Sequence, residues 1–127
     1  MTERAVLIPD AEHPIEIKPN PSWVTVCVAG EVVAKSRRAL TLREAKYPAV
    51  QYIPREDVKM SLLERTDRQT YCPYKGECSY FSIPAGGDRS VNAVWTYEEP
   101  FKAVALIAGY IAFYPDRVDE IGESPTV

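Results

Sequence analysis

Histidine is almost missing from this chain: His13 is the single one among 127 residues. A histidine base beside a serine or cysteine, or a histidine-held hydrolytic metal, needs that ring at the reacting centre. One histidine near the start leaves Tyr, Lys, Cys, Asp and Glu to move protons. Cysteine is scarce as well. Cys27, Cys72 and Cys78 make an odd count of three, and no two have the short spacing of structural zinc ligands. Neither a disulfide framework nor a metal or other cofactor is expected. The six glycines form no phosphate-cradling loop and no dinucleotide fingerprint, and no Gly-x-Ser-x-Gly elbow is present. The longest apolar run, residues 103–113, is broken by Gly109 and Tyr110, far short of the ~20 residues of a membrane-spanning helix. The apolar stretch before Asp10 is too short for a signal-peptide core. A cytoplasmic protein without a membrane partner is the expectation.

What is present reads as one folded domain. Apolar residues make up 46% and charged residues 26%, close to ordinary globular averages. Residues 1–21 and 122–127 mix polar groups and prolines and read as tails, which leaves residues 22–121 as the domain. The net charge of −3 makes a nucleic-acid partner unexpected. Its distribution is uneven. Residues 35–75 carry ten basic and five acidic side chains, net +5, between flanks of net −3 and −5. Either these charges line a solvated face, or several converge on an anion.

Hydrophobic periodicity is mostly two. Val24, Val26 and Val28 alternate with Trp23, Thr25 and Cys27, and Ala29-Gly30 marks a hairpin turn into Val32 and Val33. Further strands are expected around Leu40 and Leu42, over residues 50–53 ahead of Pro54, and over residues 58–62. Residues 66–69 read as a polar turn, residues 80–83 and 91–97 as strands, and 84–88 as a Pro/Gly turn. The period then lengthens. Pro100, Phe101, Val104, Ala105 and Ala108 predict one short helix near residues 100–108, stopped by Gly109. Strands over residues 110–114 and 118–121 follow. The sum is a mainly β, two-sheet sandwich-like domain with seven to nine short strands.

The densest chemistry lies in Thr70-Tyr71-Cys72-Pro73-Tyr74-Lys75-Gly76. Lys75, three residues after Cys72, is placed to favour the thiolate, making Cys72 a candidate nucleophile. A buried, inert thiol is the alternative, and Cys27 and Cys78 read as core. Arg37 and Arg38 are adjacent, so in a strand only one faces a pocket. Arginine's planar fork suits a carboxylate or phosphate. Ion pairs to Glu44, Glu56 or Asp57 are the other use. Arg55 follows a strand end and is a candidate for the rim. Tyr71, Tyr80, Trp95 and Tyr97 are candidate ring platforms, or else core.

Five stretches, in order, resemble one family. They are Ala34-Lys35-Ser36-Arg37-Arg38-Ala39-Leu40, Tyr52-Ile53-Pro54-Arg55-Glu56-Asp57-Val58, residues 70–76 quoted above, residues 92–100 from Asn92 to Pro100, and residues 107–118 from Ile107 to Val118. The chain is similar there, over roughly residues 22–121, to the bacterial domain-of-unknown-function family 427, also labelled nucleotidyltransferase-like. The resemblance implies a β-tent, a shape shared with methionine sulfoxide reductase B and the thalidomide-binding domain of cereblon. Those relatives often hold zinc on two Cys-x-x-Cys pairs. Neither pair stands in this sequence, so the resemblance implies no zinc here.

Three functions fit these residues. One is a small-molecule binding domain whose basic, aromatic-lined cleft takes a small anionic or nucleotide-like ligand, using Arg37 or Arg38, Arg55, Tyr71, Tyr80, Trp95 and Tyr97. Another is a thiol enzyme with Cys72 activated by Lys75. The last is a protein-interaction module, with a homodimer among the candidate assemblies.

Overall fold

The computed structural model describes residues 4–125. The first five of its ten strands are β1 (Ile15–Asn20), β2 (Trp23–Val28), β3 (Glu31–Ser36), β4 (Ala39–Glu44) and β5 (Val50–Tyr52). They are followed by β6 (Glu64–Cys72), β7 (Gly76–Ser82), β8 (Val94–Thr96), β9 (Ile111–Phe113) and β10 (Glu120–Ser124). Three antiparallel sheets result, ordered β1-β4-β5, β10-β2-β3 and β6-β7-β8-β9. Ile53 and Ile111 exchange backbone hydrogen bonds of 2.8 Å in both directions and so tie the first sheet to the third. The domain is mainly β and sandwich-like. No helix among the described residues is long and apolar enough to cross a membrane.

Alternation produced the strands where it was cleanest. Val24, Val26 and Val28 of β2 are buried, while Trp23, Thr25 and Cys27 remain half-exposed. The β2–β3 connection is the two-residue turn Ala29-Gly30, with φ of 52° and 78°. Positive φ at both central residues matches the turn to the strands' own twist.

Four segments differ from their sequence reading. Residues 15–20, expected within an N-terminal tail, form β1 and pair with β4. Ile15 and Ile17 pack against the core there, which anchors a segment whose prolines and charges suggested a loose end. Residues 120–124 likewise extend the last strand along β2. Residues 58–62 hold a 3-10 turn at Met60–Leu62 and no strand. Residues 66–69 lie inside β6, an edge strand with a register shift between Arg65 and Gln69; with few side chains to bury, it carries no apolar period. The expected helix is a 3-10 segment, Lys102–Ile107, with its buried residues Val104 and Ile107 three apart. The backbone leaves helical geometry at Val104 (φ −125°, ψ 27°), so two short 3-10 turns stand where one regular helix was expected.

The interior has two parts. An aliphatic cluster joins Val24, Val26 and Val28 to Ile53, Ile83, Val94, Ile111 and Phe113. The other cluster is largely aromatic, with Tyr52, Tyr80 and Tyr97 buried beside Leu42, Cys78 and Ile107.

Candidate functional site

The aromatic cluster does not close on itself. It borders a hollow of about 800 Å3 walled mainly by the first and third sheets, with Val26, Ile121 and Glu123 of the second also lining it. Strand register explains one wall: Tyr80 and Trp95 stand side by side across β7 and β8. Leu42 and Tyr52, from neighbouring strands β4 and β5, supply the other. Tyr97, Phe113 and Tyr114 add to the aromatic lining, and Tyr47, at 66% exposure, stands at the rim. The Trp95 ring lies 4.4 Å from that of Tyr114 and meets Tyr52 edge-on at 6.2 Å.

One end of the hollow is polar. β6 and β7 are joined by the loop Pro73-Tyr74-Lys75, where the Lys75 N–H donates to the Cys72 carbonyl at 3.2 Å. The turn thereby places Lys75 Nζ 3.8 Å from Cys72 Sγ. The ammonium donates to Glu44 Oε1, and His13 Nε2 lies 2.8 Å from Glu44 Oε2. The Lys75 side chain is only 8% exposed. Burial works to raise the Glu44 carboxyl, yet the hydrogen bonds from Lys75 and His13 outweigh it and hold the group below its ordinary value. The His13 ring stacks on Tyr74 at 4.0 Å with a 4° tilt. The row Cys72–Lys75–Glu44–His13 thus combines a thiol, a matched ion pair and an imidazole.

Three of the tyrosines that face the hollow, Tyr52, Tyr97 and Tyr114, stay protonated. Burial pushes the Tyr52, Tyr97 and Tyr114 phenols well above their ordinary value, and the Cys78 thiol upward too. Tyr52 accepts from Trp95 Nε1 at 3.2 Å, and the Tyr80 hydroxyl bonds Thr70 Oγ1 at 2.8 Å. These two buried hydroxyls are thereby satisfied, and their rings keep their orientation.

Of the residues singled out in the sequence, Cys72, Lys75, Tyr80, Trp95 and Tyr97 meet in this hollow. Arg37, Arg38, Arg55 and Tyr71 do not line it. Arg37 lies over the Trp23 ring at 5.1 Å. Arg38 pairs with Asp57 at 3.0 Å and Glu56 at 3.2 Å. Arg55 shares Glu98 with Arg65, and both guanidiniums sit near the Phe81 ring. Tyr71 donates to the Ala5 carbonyl and meets Phe101 edge-on at 6.1 Å. The positive block is thus divided among separate ion pairs and ring contacts, because Arg37 and Arg38 sit in the β3–β4 connection and Arg55 in the 3-10 turn Arg55–Asp57, each engaged by neighbours away from the hollow. Cys78 is core, as expected, and Cys27 is half-exposed on the outer face of β2.

Glu44, Tyr52, His13 and Tyr114 were not picked out as site residues. Glu44 had a legible signal: in Leu40-Thr41-Leu42-Arg43-Glu44 it falls on the apolar phase of the strand and so points inward. His13 had none, since its segment looked like a tail. Among the described residues, no three of His, Cys, Asp or Glu gather as metal ligands.

No curated protein matches the chain. A family profile described as a domain of unknown function, DUF427, matches residues 16–124, from inside β1 to the end of β10. The match spans all three sheets and both walls of the hollow, and the chain belongs to the DUF427 family.

Proposed function

We propose that the hollow binds a flat, largely uncharged small molecule between its tyrosine and tryptophan rings, with the ligand's polar edge toward Lys75 and Glu44. The observation that carries this reading is the aromatic lining with a single, already matched ion pair at one end. Concave, mostly apolar clefts of about 300–1,000 Å3 with a few placed polar groups are the usual form of small-molecule sites. An anion is a poorer fit than the sequence suggested. The arginines are engaged elsewhere, and Glu44 offsets the Lys75 charge that an anion would need.

A thermal-shift and tryptophan-fluorescence screen tests the reading, using planar heteroaromatic compounds beside phosphorylated ones. Neutral planar compounds should raise the melting temperature, and binding should perturb Trp95. Ala49→Trp, at the exposed rim, should weaken binding by about tenfold or more with the fold intact. Arg55→Ala should leave binding unchanged. Preference for phosphorylated compounds together with loss of binding in Arg55→Ala would show the reading to be wrong.

A further inference from the structure

The polar end of the hollow holds a nucleophile. Cys72 Sγ lines the cavity, and the Lys75 ammonium donates to it at 3.8 Å. That ammonium is buried and is held on its other side by Glu44, itself bonded to His13. The Cys72–Lys75 turn fixes the two backbones beside each other, and Glu44 holds the buried ammonium at the sulfur.

We propose that this end of the hollow is a covalent capture site, where Cys72 adds to the carbon–carbon double bond of a planar α,β-unsaturated carbonyl compound. The inference rests on ligand binding in the hollow and adds a reaction to it. The sulfur enters as thiolate, its proton having passed to water. Its lone pair forms a bond to the β-carbon, and the displaced π electrons move to the carbonyl as an enolate. The α-carbon then takes a proton from water. One S–H bond and the π bond of one C=C are replaced by one S–C and one C–H bond, and the carbon–carbon single bond remains. Nothing leaves, and no oxidant or reductant is consumed.

Conjugate addition suits these residues because it asks for little else. It needs a nucleophile, a flat apolar slot for a conjugated ligand and one donor for the charge that moves from sulfur to oxygen. Among the described residues that line the hollow, Lys75 is the cation. Its hydrogen bond to sulfur steadies the attacking charge, and between mostly apolar walls such a donor acts more strongly than in bulk water. Glu44 is a positioning residue that holds the ammonium in place.

The protein carries its own control. Cys27 is half-exposed like Cys72 but lies outside the hollow. The full chain is incubated with benzylideneacetone, and the sites modified are timed by peptide mass mapping. Its saturated counterpart benzylacetone, which cannot react, reports binding through tryptophan fluorescence. One adduct should form at Cys72 at least about tenfold faster than at Cys27, with a rate that saturates in benzylideneacetone and slows when benzylacetone competes. Lys75→Gln should slow Cys72 by about tenfold while the Cys27 rate, a monitor of folding, stays the same. Equal rates at the two thiols in the unaltered protein overturn the proposal without any variant. Benzylacetone binding without an adduct sinks capture alone. Absence of both binding and adduct sinks the ligand reading with it.

Discussion

Glu44→Gln keeps the side chain's length and one accepting oxygen but removes the charge that Lys75 and His13 both engage. The Lys75 and Glu44 side chains are 8% and 14% exposed, nearer to the buried limit than to a surface pair. Losing one partner of a buried pair costs about 3–5 kcal/mol, against about 0–1 for an exposed one. The retained oxygen and the partly open His13 favour the lower end, about 3 kcal/mol, or a fall of roughly 10–15 °C in melting temperature. Adding Lys75→Met should recover part of this loss, since the stranded ammonium is what destabilises the single variant. Urea denaturation across pH gives a second reading. Because the folded carboxyl titrates below its ordinary value, the unfolded chain binds the proton first on acidification. The carboxylate's contribution is therefore complete above about pH 4.3 and disappears as pH falls through the lower folded value. The gap between the two proteins should narrow in that acid window. A variant within about 0.5 kcal/mol of the parent at neutral pH, or a gap that stays constant into acid, would refute the account of Glu44.

Other expectations concern the scaffold. A methyl group on Gly86 would run into the Ser90 hydroxyl, with Ser90 Cβ at 2.6 Å and Val28 Cγ1 at 2.9 Å; Gly86→Ala should cost about 2–3 kcal/mol in urea unfolding. Ala29 holds φ 52° in the β2–β3 turn, so Ala29→Asn should stabilise by about 0.5–1 kcal/mol, read as a higher melting temperature. Burial tends to raise Asp57, but bonds from Ser36 at 2.6 Å and from Arg38 outweigh it and lower its titration. Asp57→Asn should lose about 1–2 kcal/mol at neutral pH and flatten the acid limb of the stability curve.

The rings were legible in the sequence to the extent that period two governs them. Trp95 and Tyr97 stand two apart in the stretch 91–97 that alternation marks as a strand, and they do converge on the hollow. The Cys72–Lys75 pair was legible because the turn connecting them is local. Of the arginines, Arg38 meets Glu56 and Asp57, the ion pair that the sequence offered as its other use, whereas Arg55 was not legible, because its partner Glu98 lies far along the chain and is shared with Arg65. Composition gave the sum of charge in that stretch but not which side each strand would turn outward. β1 was hidden for a related reason. Its pairing partner β4 begins only after the whole β2–β3 hairpin, and a strand of mixed polarity declares itself only through such a partner. The 3-10 segments were misread because three-residue and two-residue periods look alike over so short a span as Met60–Leu62.

His13 stands just ahead of the first strand, yet it closes one side of a carboxylate that belongs to the fourth. A shortened version of this protein that starts at Ile15 would keep every strand and give an ordinary circular-dichroism spectrum. It would also leave Glu44 open to water and Tyr74 without its stacking neighbour. Reagents prepared by trimming to the sheets would therefore look intact while reporting on a different pocket.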